Sequence, residues 1–423
     1  MELELAKGVE AFIQPTRKFK TILIEYKFRS MYDPEQATAR TLVKNMLVTN
    51  SKKYPTQKEM DQQMSWLYGA SLSSNSQRFG KQHVITFRLK IVNDKYIGGD
   101  DRLLEEAFRF LEEVIFHPNV ENARFHEATF NREKHNLRNE FESIEENKSG
   151  YAFWKLNQIL FKGTDQEYLG IGDHTFLENL TPDHLYQTYR EMIQNDTVDI
   201  YISGDVEQDR VHAILKHVPL EERTPLSDEV FVQRENTTEV TSEDEEHDVN
   251  QGKLLFGFSS PAYYLDQTYF TAMVFNGLFG GFPHSKLFQN VREKESLAYS
   301  ASSYIDYIRG TMVIQTGIEF EKRNRVEEIV MEQLKDMQNG SFSDELIVQT
   351  KEMLLNQYKQ TEDNQTSSLS KVYSDRLLAG REVSDDKWME SILAVTKEDV
   401  RKFAEQMELQ AIFFLKGMEE NHA

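Results

Sequence analysis

The chain has 423 residues, 39% of them hydrophobic and 28% charged, which suits a soluble globular protein of about two or three domains with a substantial core. Forty-nine basic against 70 acidic residues give a net charge of −21, which argues against binding a nucleic-acid backbone or an anionic membrane. There is no cysteine, so disulfides and thiolate-bound metals are excluded. The first 20 residues lack the apolar core of a signal peptide, and no run nears the roughly 18–20 apolar residues of a membrane span. The expectation is a cytoplasmic chain.

The first strong element is TILIEYKF (21–28), an apolar strand. Asp33-Pro34 then opens a helix, with Asp as N-cap and Pro at the first turn. In ARTLVKNMLV (39–48), Ala39, Val43, Met46 and Leu47 form a buried stripe, while Thr41, Lys44 and Asn45 share a neighbouring face. Residues 67–91 read as two strands joined by a turn, and NREKHNLRNEFESIEEN (131–147) as a long helix. Thr181 caps a helix in LTPDHL, which leads into the strand DIYISGD (199–205).

A polar stretch, 220–251, reads as a linker. Its acidic run EDEEHD (243–248) could attract a metal or a basic partner, but blocks of like charge repel, so a solvated turn is expected. The same order of elements then returns. KLLFGFS (253–259) is a strand, a helix follows around 265–279, and 297–318 is a second hairpin. NQYKQTEDN (356–364) aligns with NEFESIEEN (139–147) at a shift of 217 residues. VTKEDV (395–400) repeats the threonine cap, and AIFFLKG (411–417) closes as a strand. The fold class is therefore α+β, with two homologous domains, each an antiparallel-rich sheet carrying packed helices. The boundaries are 1–219, a linker and entry at 220–251, and 252–423.

The positions 41, 44 and 45 have the spacing of H-x-x-E-H, in which two histidines hold zinc and a glutamate activates water. Here they are Thr, Lys and Asn, two weak ligands and a cation that opposes one. Other histidines do not rebuild a site. His212 and His217 diverge by roughly 140° on a helix, and His126 and His135 point to opposite faces.

At this point the chain resembles the pitrilysin–insulysin–mitochondrial processing peptidase family, the inverzincins. TLVKNML (41–47) lies where that family has its zinc helix followed by Met-Leu. Glu133 and Glu140 match its downstream helix, with Glu140 at the third zinc ligand's position; the bland reading of both is a solvated helix face. GLFGGFPHSKLFQNVREKESLAYS (277–300) is close to the family's glycine-rich loop, helix and strand start. Within the family the chain looks closest to Bacillus-type paralogues that lack the zinc motif and pair with a zinc-bearing subunit.

The resemblance implies an assisting arginine and tyrosine seven residues apart, here Arg292 and Tyr299, which would bind substrate carbonyls or stabilise the oxyanion. The bland alternative places Arg292 in a charged face with Glu293 or Glu295, and packs Tyr299 at a strand start. Gly277, Gly280 and Gly281 lack a P-loop pattern; a flexible turn that lets another chain approach is expected, with Gly280 and Gly281 beside the substrate.

The implied function is the non-zinc subunit of a two-chain metallopeptidase acting on peptides or small unfolded proteins. The chain itself would hold no metal or other cofactor, and a homologous partner carrying H-x-x-E-H would supply zinc. Facing chains would enclose the substrate, and whether the isolated chain forms a homodimer is left open. The competing class is an inactive scaffold or binding protein, as in the family's respiratory-complex core subunits. The Bacillus-type paralogues also bring an association with modification of a translation elongation factor. A self-sufficient zinc peptidase is the third reading.

Overall fold

The computed structural model describes residues 2–98, 102–295 and 297–418. The chain forms two compact units. One comprises Met1–Ser143, Tyr168–Glu229 and Gln365–Ser370; the other comprises Ile144–Glu167, Val230–Asn364 and Lys371–Ala423. Each unit therefore takes a short piece from the other half of the sequence, a division different from a cut at 219 and 252.

The first unit is built on six strands in the order Glu2–Ala6, Val9–Pro15, Thr197–Gly204, Thr21–Met31, Gln82–Val92, Ser71–Phe79. Val9–Pro15 runs parallel to Thr197–Gly204, and the other neighbours are antiparallel. On Thr21–Met31 the even residues Ile22, Ile24, Tyr26 and Phe28 enter one core. Helix Pro34–Thr49 enters the same core with Ala39, Leu42, Val43, Met46 and Leu47. Asp33 caps that helix by accepting from the Gln36 amide at 2.8 Å. Among the odd strand residues, Glu25, Lys27 and Arg29 are charged. Glu25, fully buried, is bridged by Lys27 at 2.8 Å and by Arg88 at 2.5 Å, so its charge is compensated. Gln365 closes the strand ends: its Nε2 donates to the carbonyls of Thr21 (3.1 Å) and Ser203 (2.9 Å).

The second unit has five strands in the order Ala298–Asp306, Thr311–Ile318, Gly252–Ser259, Glu408–Gly417, Thr241–His247. Again a single pair is parallel, here the last one, Glu408–Gly417 with Thr241–His247. This repeats the order and directions of five strands of the first unit, with Thr241–His247 in the place of Val9–Pro15. The duplicated α+β architecture is thus present in topology as well as in sequence.

The acidic run is not a solvated turn. It forms most of strand Thr241–His247 at the sheet edge. Its carboxylates stay mostly exposed, and charge along an edge discourages pairing with another chain. The two N-terminal strands, Glu2–Ala6 and Val9–Pro15, were not expected, although Leu3 and Leu5 alternate with Glu2 and Glu4, and Gly8 takes φ +76 in the turn between them.

The central strands of this second sheet are buried on both faces. Leu254, Phe256, Phe258, Ile412 and Phe414 enter one core, while Leu255, Ala411, Phe413 and Leu415 enter another. That is why KLLFGFS and AIFFLKG are nearly unbroken apolar runs. The second face is covered by helix Lys148–Leu160 through Tyr151, Ala152, Leu156 and Leu160. Leu160 lies so close to Gly257 that a Cβ there would fall 2.8 Å from its Cδ1. Leu160→Ala should therefore cost about 2–4 kcal/mol, read as a lowered urea midpoint with an unchanged slope.

Candidate functional site: a buried helix face and two exposed donors

Helix Pro34–Thr49 turns Thr41 inward, and the side chain is fully buried. Its hydroxyl lies 2.7 Å from Ser76 Oγ and donates to the Ile171 carbonyl at 3.1 Å. Ser76 Oγ lies 2.9 Å from His83 Nε2, and Arg40 Nε donates to His83 Nδ1 at 3.0 Å. Arg40 also pairs with Asp196 at 2.6 Å. All five side chains are buried, so Asp196, Arg40, His83, Ser76 and Thr41 form one interior chain.

This chain contains a serine beside a histidine, but the arrangement is not nucleophilic. Arg40 occupies the Nδ1 lone pair, so the neutral imidazole carries its proton on Nε2 and donates to Ser76. A base for Ser76 would need that nitrogen unprotonated. Burial is the first cause holding His83 well below its ordinary value, and the positive charges of Arg40, Arg78 and Lys44 add to it. The network orders a helix face; it does not activate an oxygen.

Lys44 is about nine-tenths buried, and burial pulls its ammonium down, offset in part by the charge of Glu140. Asn45 is half-buried, its carbonyl accepting from the Thr49 hydroxyl. Glu140 is exposed, as a solvated helix face requires, but Glu133 is not: it is 7% exposed and accepts from Arg132 (2.9 Å) and Asn136 (3.0 Å). The reading of Glu133 as solvated is corrected by those two donors, which compensate its burial. Among the described residues no group of three or more His, Asp or Glu is arranged to hold a metal. Thr41, Lys44 and Asn45 do not fit a zinc ion: one hydroxyl is spent on a backbone carbonyl and the ammonium repels a cation.

In the second unit, Arg292 lies on the π-helical turn Phe288–Lys294. Its guanidinium stacks 4.6 Å over the Phe288 ring and lies 3.6 Å from Glu293, with the side chain 43% exposed. Tyr299, at the start of strand Ala298–Asp306, is 62% exposed rather than packed. Both groups are thus presented outward, one guanidinium and one phenol, the donors a developing oxyanion would accept from.

The glycines behave differently from expectation. Gly280 is buried, and a Cβ there would sit 2.7 Å from the Ser303 amide nitrogen. Gly277 is closed off by Thr350 and Phe282. These positions let the turn pack against strand Ala298–Asp306; they are not a flexible opening. Gly281 alone of the three is exposed.

The sequence reading missed Arg40, Ser76, His83 and Asp196. The one available signal was Arg40, a charge beside the buried stripe of Ala39, Val43, Met46 and Leu47, which demands a partner once enclosed.

Comparison with known proteins agrees with this geometry. The family described as "Peptidase M16 inactive domain" matches residues 179–354. A Bacillus subtilis protein described as "Probable inactive metalloprotease YmfF" is 37% identical over 415 residues, covering 97% of this chain and 96% of the relative. A crystal structure of a conserved protein from Enterococcus faecalis superposes with a TM-score of 0.96 at 39% identity, over 100% of this chain and 99% of that one. An M16 inactive domain from Pseudomonas fluorescens shares the fold, with a TM-score of 0.81 at 16% identity over 99% and 98% of the two chains. The chain belongs to the M16 (pitrilysin/insulysin) peptidase superfamily, in its inactive-domain subtype, as the resemblance implied. It is closely related to the YmfF-like Bacillus paralogues.

The His83 environment sets a pH dependence. A folded-state value below the unfolded one, about 6.5, means that the unfolded chain binds the extra proton first. Stability is then full above about pH 6.5 and falls as the pH drops, by up to about 1.4 kcal/mol per unit. Asp196, raised by burial, acts in the opposite sense. Comparing urea midpoints at about pH 7 and about pH 5.5 in wild type and His83→Gln isolates the histidine: the variant should lose most of this slope.

Proposed function

We propose that this chain is the non-zinc subunit of a two-chain metallopeptidase that acts on peptides or small unfolded proteins. The observation that carries the reading is a contrast between the two candidate faces. Thr41 is fully buried and committed to Ser76 and Ile171, whereas Tyr299 is 62% exposed and Arg292 43% exposed. A face that lost its metal has been built into a core, while two donors remain open.

In this reading a homologous partner with an intact H-x-x-E-H helix supplies zinc and its activated water. Arg292 and Tyr299 hold the substrate carbonyl and stabilise the charge that develops on its oxygen. The cytoplasm is the expected compartment; no helix among the described residues is long and apolar enough to cross a membrane.

The second reading is a scaffold with no part in hydrolysis. It is favoured by the side-chain partners of Arg292, since the Phe288 ring and the Glu293 carboxylate give that guanidinium a local role without any substrate.

Mixing the chain with a zinc-bearing paralogue and following cleavage of a fluorogenic peptide separates the two. The assisting role predicts activity above that of either chain alone, and a fall in kcat of about 10²-fold for Tyr299→Phe, the order seen when one oxyanion donor is removed. Unchanged kcat in the Tyr299→Phe, Arg292→Ala double variant, with complex formation intact, selects the scaffold.

A further inference from the structure

The second unit contains a cavity of about 240 Å³ with no place in the function above. Its walls are aromatic. Tyr358 and Trp388 stack at 4.1 Å between centroids and 17° between planes, and Tyr264 meets Tyr269 at 5.1 Å. At its side sits Asp375, only 1% exposed. Asp375 accepts from the Tyr264 hydroxyl at 2.7 Å, from the Val383 amide at 3.2 Å and from the Lys371 ammonium at 3.0 Å. The Tyr358 hydroxyl donates to a second carboxylate, Asp385, at 2.6 Å. On the rim, Leu265 has φ +55, a left-handed conformation that a bulky side chain adopts only under constraint.

The chemistry of this lining selects one kind of ligand. Aromatic faces carry negative potential, and the buried Asp375 carboxylate carries a negative charge that the chain balances with its own ammonium, Lys371. An anion would be repelled. A neutral apolar group would gain contact area but would do nothing for the carboxylates. An ammonium satisfies both the rings and the acids. The chain already places one there: Lys371 Nζ lies 5.6 Å from the Tyr358 centroid while paired with Asp375. Burial is the first cause keeping the phenols of Tyr264 and Tyr358 well above their ordinary value, so they remain neutral donors.

We propose that this aromatic cage is a binding site for an ammonium group, carried either by a small alkylamine or by a lysine side chain of a bound peptide, and that Lys371 is the internal cation an incoming ligand displaces. Displacement makes the site self-competing. Affinity in the native chain is set by the difference between two ammonium groups, and removing Lys371 releases the full attraction of Asp375.

A protein with Trp66→Phe and Trp154→Phe keeps Trp388 as its single tryptophan, placed in the cage wall and excited apart from the tyrosines. Its emission is titrated with n-butylammonium and with the neutral isostere n-butanol. A lysine-containing pentapeptide and its norleucine counterpart form the second pair. Lys371→Met should tighten ammonium binding about tenfold. Adding Asp375→Asn to Lys371→Met should undo that gain. Tyr358→Leu on the same background provides a second route should the aspartate variant unfold, with circular dichroism and the urea midpoint checking the fold. Preference for the peptide assigns the ligand to lysine side chains, and preference for the free amine assigns it to small amines. Equal binding of the ammonium and its neutral isostere, or no gain in a folded Lys371→Met protein, overturns the proposal.

Discussion

The first unit depends on a buried line of polar groups in which each member faces a partner. Asp196, Arg40, His83, Ser76 and Thr41 are each shielded from water, and each is useful to the fold only because its neighbour offers a hydrogen bond or, for Asp196, the opposite charge of Arg40. A half-satisfied version would cost more than an apolar core of the same shape. The direction of the line matters as much as its existence. Arg40 can only donate, so His83 must accept at Nδ1 and donate at Nε2, and the polarity runs through Ser76 and Thr41 to the Ile171 carbonyl. That single constraint fixes helix Pro34–Thr49 against its surroundings and makes a serine–histidine pair chemically inert.

The same constraint explains the fate of a helix face related to a zinc site. A metal site concentrates ligands whose lone pairs converge on a cation. Here the first position is an oxygen whose proton goes to the backbone, and the second is itself a cation under partial compensation from Glu140. The local charge has changed sign. The family relation, the 37% identity to a protein described as an inactive metalloprotease and the absence of a metal-holding cluster among the described residues all agree with this chemistry.

Much of the architecture was legible along the chain, for specific reasons. Asp33-Pro34, Thr181 and Thr396 are capping signals whose partners lie within three residues, so local chemistry decides them. The apolar runs at 253–259 and 411–417 are long because both their faces are covered. Strand Thr241–His247 was illegible because its residues favour solvent; its pairing with Glu408–Gly417 comes from a partner more than 150 residues away. The glycine turn misled for a related reason. Glycine signals conformational freedom and close packing alike, and only Ser303 beside Gly280 shows which applies.

The sequence by itself determined the duplication, the α+β class, the loss of the zinc-binding residue types and the seven-residue spacing of Arg292 and Tyr299. These are matters of residue identity and local spacing, which the chain carries in order. Only the tertiary structure decided that Thr41 is sealed inside a hydrogen-bonded line while Tyr299 stays open, that Glu133 is buried, and that Lys371 reaches a carboxylate among aromatic rings. Those facts depend on what lies across from each side chain, and burial, charge compensation and proton direction are properties of that opposing surface rather than of the residue alone.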